Sequence, residues 1–75
     1  MAIQFRVVDL RAGTEAPTEV LIDKARSPEE AARLATGEVL VRSGRRNDLR
    51  ARVYFQQPGQ PMTMVRLYQR VEDRG

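Results

Sequence analysis

The sequence predicts an α+β domain of order β-β-α-β-β: one mostly antiparallel four-stranded sheet with a single helix packed on one face. Three observations predict it. Apolar and polar residues alternate in several stretches, most clearly in Leu49-Arg50-Ala51-Arg52-Val53-Tyr54-Phe55 and Met64-Val65-Arg66-Leu67-Tyr68-Gln69-Arg70-Val71. Successive side chains of a strand point to opposite faces, so this period is a strand signal. A helix start, Ser27-Pro28-Glu29-Glu30, lies between the two pairs of strand-like segments. Turn-forming residues gather at 11–18 and 57–61, where two hairpins would reverse.

Each element has a local reason. Ile3, Phe5 and Val7 alternate with Gln4 and Arg6, which gives a first strand over roughly 2–10. Gly13 and Pro17 punctuate the following turn. Val20-Leu21-Ile22, rich in β-branched residues, gives a second strand over 18–24, hairpinned to the first. Ser27 can then accept a hydrogen bond from a free first-turn amide. Pro28 suits the first helical position, and Glu30 can reach back to the Ser27 amide as a capping box. Both glutamates sit at the positive end of the helix dipole.

The helix has two possible ends. Arg42-Ser43-Gly44 resembles a C-terminus and gives a helix over 28–43, with Ala31, Leu34, Ala35 and Val41 on one stripe. Against this, Gly37 would cost about 1 kcal/mol in a helix interior. Val39-Leu40-Val41 also reads as a short buried strand. The longer helix is the expectation; the alternative stops near Thr36 and makes 38–42 an extra strand. Residues 45–48 form a loop. Strands over 49–57 and 62–71 follow, joined by a turn at Pro58-Gly59, and the last residues, 71–75, fray. The expected core is Phe5, Val7, Val20, Ile22, Leu34, Val53, Phe55 and Leu67.

Composition narrows the function classes. Seventy-five residues make one small domain, spanning 1–75, and 41% hydrophobic content is too high for a disordered chain. Cysteine and histidine are both absent, which removes disulfides, thiolate metal sites and the usual acid/base catalyst near neutral pH. The adjacent carboxylates at 29–30 and 72–73 are accounted for by helix capping and a polar tail, and the glycines match no phosphate-loop spacing. Neither an enzyme nor a cofactor is expected. No run of about 20 apolar residues and no leader pattern is present, so no membrane contact and a cytoplasmic location are expected.

Charge is uneven. Residues 1–41 carry five basic and seven acidic groups, whereas 42–70 carry seven arginines against one aspartate. Such asymmetry favours a polyanionic partner. Strand alternation places Arg50, Arg52 and Tyr54 on one face with Arg66, Tyr68 and Arg70, and Arg42, Arg45 and Arg46 extend this patch at the end of the helix. A hairpin centred on Gln60 sets Tyr54 opposite Arg66 and Arg52 opposite Tyr68. One centred on Gly59 sets Arg52 opposite Arg66. Guanidiniums at strand spacing can follow phosphates, and tyrosine rings can stack on bases. The expected function is therefore a non-enzymatic domain that binds single-stranded or structured RNA through this face. Two other readings compete. In one the face is merely solvated, with Arg52, Arg66 or Arg6 paired to Glu19 and Asp23. In the other it mediates protein interaction, including homodimerisation, with Met62 and Met64 adding apolar area.

Overall fold

The structure, a computed structural model, describes residues 3–10 and 18–70. It has the expected α+β class with one helix and five strands. These are β1 (Phe5–Asp9), β2 (Thr18–Ile22), α1 (Pro28–Thr36), β3 (Leu40–Val41), β4 (Leu49–Phe55) and β5 (Thr63–Gln69), with a 3₁₀ turn at Arg46–Asp48. All pairings are antiparallel, and the sheet order is β2-β1-β4-β5-β3. The expected turn residues 11–17 and the expected fraying tail 71–75 lie outside the described residues.

The helix begins where its cap chemistry places it. Ser27 has extended backbone, and its Oγ accepts from the Glu30 N–H at 3.1 Å. The Glu30 carboxylate accepts from the Arg26 N–H at 3.0 Å, one residue earlier than the capping-box amide expected for it. The helix ends at Thr36, not at 43. Gly37 takes left-handed backbone (φ 80°), and its N–H donates to the Arg33 carbonyl at 2.8 Å. Glycine reaches that conformation without a Cβ clash, which makes it a helix stop rather than a helix interior. The chain released at Gly37 supplies a fifth strand in place of the last helical turns. Leu40 pairs with Gln69 and Val41 with Tyr68, so β3 covers one end of the β5 edge.

The core lies between α1 and one face of the sheet. Phe5, Val7, Ala31, Ala32, Leu40, Ala51, Val53 and Leu67 are buried, and Phe55 leans on Phe5 with ring centroids 5.1 Å apart. Three alanines in this set bring the helix backbone close to β4. Leu34, expected in the core, is 50% exposed. The inward stripe of a helix this short is Pro28, Ala31 and Ala32, with Ala35 packed beside it, and Leu34 falls off that stripe. Leu40 fills the core from β3 instead. Val20 and Ile22 are half-buried, because β2 is an edge strand.

The β4–β5 hairpin is centred on Gly59, with Arg52 opposite Arg66, Val53 opposite Val65 and Tyr54 opposite Met64. The turn is closed by the Gln60 N–H to the Gln57 carbonyl at 2.9 Å. Near the start of β4 the register shifts: Leu49 faces Tyr68 and Ala51 faces Leu67, leaving Arg50 as an extra residue in a β-bulge. Leu49 therefore leaves the face it was expected to share with Ala51, Val53 and Phe55.

Both helix ends can be tested by urea unfolding. Ser27→Ala should lower stability by about 1 kcal/mol, and Gly37→Ala by about the same or more. An unchanged midpoint for either variant would remove that cap from the account of the helix.

Candidate functional site

The helix covers one face of the sheet, and among the described residues no element packs over the other, open face. Strand register arranges this open face in three rows. The first holds Leu21, Arg6, Tyr54 and Met64; the second holds Glu19, Val8, Arg52 and Arg66. The third holds Leu49, Tyr68 and Val41. Rows follow one another at about 6–7 Å along the strands. Cations in the middle row thus lie between a tyrosine on either side.

Arg52, Tyr54, Arg66 and Tyr68 occupy this face as the alternation requires. Arg50 does not. As the extra residue of the bulge, it turns toward the helix side. There its guanidinium is hydrogen-bonded to Asp9 and, at 2.8–2.9 Å, to Glu38. Burial acts to lower the pKa of Arg50, but the two carboxylates outweigh it and hold the value above that of free arginine. Arg42 is also diverted. It makes a bidentate bond to Glu29 in the first turn of α1, at 2.8 and 3.2 Å. That bond holds the Glu29 carboxyl below its usual range, against a partial opposing effect of burial. Arg70 lies one residue beyond β5, is half-buried and has an interaction of its own. Arg45 is exposed in the loop before β4, and Arg46 opens the 3₁₀ turn beside the third row.

The face includes one cation that strand alternation alone did not assign to the site. The Arg6 guanidinium lies 5.0 Å from the Tyr54 ring centroid and 3.9 Å from the Glu19 carboxylate. Its alternation with Ile3, Phe5 and Val7 gave its phase. Its place beside Tyr54 depends on β1 pairing with β4, which no local pattern encodes. Of the two hairpin registers left open by the sequence, the Gly59-centred one forms and sets arginine against arginine, so Arg52 and Arg66 do not face Tyr68 and Tyr54.

Two open depressions lie on the face. One, of about 440 Å³, is lined by Arg6, Glu19, Leu21, Tyr54, Gln56 and Met62 among others. Leu21 and Met62 are 56% and 58% exposed there. The other, of about 320 Å³, is lined by Arg46, Leu49, Arg66 and Tyr68. The loop after β3 presses on the root of the Tyr68 side chain: a Cβ at Gly44 would stand 2.7 Å from the Tyr68 Cβ. Only glycine lets the loop that carries Arg45 and Arg46 run this close to β5.

The open face is poorly neutralised. Asp23 accepts from Gln4 at 3.0 Å, and Glu19 faces Arg6, so neither pairs with Arg52 or Arg66. Among the described residues Arg46, Arg52 and Arg66 have no carboxylate partner, and the buried Arg52 Nε has no hydrogen-bond acceptor. No group of three or more potential metal ligands gathers among the described residues, and no helix there is long and apolar enough to cross a membrane.

This division of the arginines between two jobs is testable by urea unfolding at pH 7. Arg50→Gln should lower stability by about 2–4 kcal/mol, since it removes the cation from the largely buried Asp9 and from the more exposed Glu38. Arg45→Gln should change it by less than about 0.5 kcal/mol. Equal effects would overturn the distinction. No family model, curated protein or solved structure matches the chain.

Proposed function

We propose that the open sheet face binds single-stranded nucleic acid, RNA foremost, and that the protein is a non-catalytic cytoplasmic binding domain. The observation that carries this reading is the contrast between the two sets of arginines. Arg42 and Arg50 are matched by carboxylates on the helix side, whereas among the described residues Arg46, Arg52 and Arg66 have none on the open side. A row of cations flanked by tyrosines suits a backbone of phosphates carrying unstacked bases, the arrangement by which sheet surfaces take single-stranded RNA. Duplex would use the cations alone and leave the rings idle.

The two rings are not equivalent. Tyr54 is already stacked by Arg6, so a base arriving there must lie on the guanidinium or displace it. Tyr68 stands in a depression between Arg46 and Arg66 and offers the readier platform.

Homo-oligomeric protein interaction is the alternative, and exposed Leu21 and Met62 are its support. Two-fold packing of open faces would, however, set Arg52 and Arg66 against their own copies with little but Glu19 to neutralise them.

Fluorescence anisotropy with labelled ten-nucleotide RNA and DNA strands tests the proposal. Three phosphates neutralised on a single strand correspond to a log–log salt slope of about −2, hence roughly tenfold to twentyfold weaker binding at 200 than at 50 mM salt. Tyr68→Leu should weaken binding about tenfold and Tyr54→Leu less. Absence of binding at 50 mM salt, together with a dimer mass in solution that Leu21→Glu abolishes, would favour the alternative instead.

A further inference from the structure

We propose that Arg52 and Arg66 form a cross-strand clamp for one phosphate group, and that the Tyr68–Leu49 depression beside it seats the base of the same nucleotide. This rests on the nucleic-acid reading of the open face but assigns it a specific nucleotide site.

The argument starts from register. Arg52 and Arg66 stand directly opposite each other across β4 and β5. Cβ atoms so placed are about 4.5–5.5 Å apart, and like charges in that position repel. A hairpin shifted to centre on Gln60 would have put each arginine against a tyrosine, yet the chain takes the register that brings the two cations together. Two features ordinarily relieve such a pair: a carboxylate between them or full solvation of both. Neither is present. Their row continues through Val8 to Glu19, which contacts Arg6, and the Arg52 Nε is shut off from water without an acceptor. The terminal Nη donors of Arg52, not closed off as Nε is, stand beside a second cation and are the groups an oxyanion could meet. Guanidinium supplies the planar fork that binds phosphate oxygens in bidentate fashion, which an ammonium does not.

The neighbouring row supplies the rest of the nucleotide. Tyr68 is two residues beyond Arg66 on the same strand and face, about 6–7 Å along. The depression of about 320 Å³ between them has Tyr68 as a flat wall, Leu49 as an apolar one and Arg46 at its rim. Leu49 stands opposite Tyr68 only because the bulge at Arg50 shifts the register there. A phosphate held by Arg52 and Arg66 thus places its base against a ring and an aliphatic side chain, with a further cation for the next phosphate.

Melting temperature and amide chemical shifts, recorded at constant ionic strength with chloride as the balancing anion, test this with inorganic phosphate, uridine and uridine 5′-monophosphate. Wild-type protein should be stabilised by phosphate, and by the monophosphate at concentrations at least tenfold lower than by phosphate or uridine alone. Arg66→Gln should melt higher than wild type in chloride, because the repulsion is gone, and should lose the response to phosphate. Arg66→Lys keeps the charge without the fork and should retain only a small part of it. Tyr68→Leu should keep the phosphate response and lose the advantage of the monophosphate. A response to phosphate equal in Arg66→Gln and wild type would overturn the clamp, as would an Arg66→Gln protein that melts lower in chloride. Oligonucleotide binding without any phosphate response would discard the clamp while leaving the broader reading standing. A phosphate response without oligonucleotide binding would keep the clamp and discard that reading.

Discussion

The open face depends on one extra residue. Arg50 has no partner across the β4–β5 ladder, and its guanidinium is tied instead to Asp9 at the end of β1 and Glu38 just after α1. Three parts of the chain meet at that cation: the strand beside β4, the segment that leaves the helix and the start of β4 itself. The bulge inverts the phase of everything before it. Leu49 crosses to the open face and joins Tyr68, while Ala51 and the residues after it keep their places on the core. Because arginine stays protonated at any pH the fold meets, the anchor persists wherever its two carboxylates are ionised.

The two faces of the sheet follow different rules as a result. On the helix side, charge is matched and volume is small: alanines at 31, 32 and 51 let the backbones approach, and Arg42 and Arg50 are held by acids. On the open side, bulk and charge are left unresolved. A chain of 75 residues has little core with which to carry such a surface.

Features whose physics is local were legible in the sequence. The Ser27-Pro28 start needs only a hydroxyl, a ring-locked φ and an amide three residues on, and it stands where the residues place it. Gly37 was visible but ambiguous: a single glycine is tolerated within a helix or ends it, and the choice turned on Leu40 finding a place in the core. Leu34 lies on the inward stripe of a helix of four turns but off that of one ending at Thr36. The bulge left no trace in the alternation of Leu49-Arg50-Ala51. Its causes lie 41 residues away at Asp9 and 12 away at Glu38. The place of Arg6 beside Tyr54 has a related cause, since strand neighbours are settled by tertiary pairing and not by period.

Gly44 has no chemistry of its own, yet it acts as a gauge. The loop it belongs to rests on the root of Tyr68 with no room for a side chain, so that backbone sets how far Arg46 stands from Arg66. Any bulkier residue there lifts the loop like a shim and widens the gap between two cations without altering either. The spacing of charge on this surface is thereby dictated from a position that carries none.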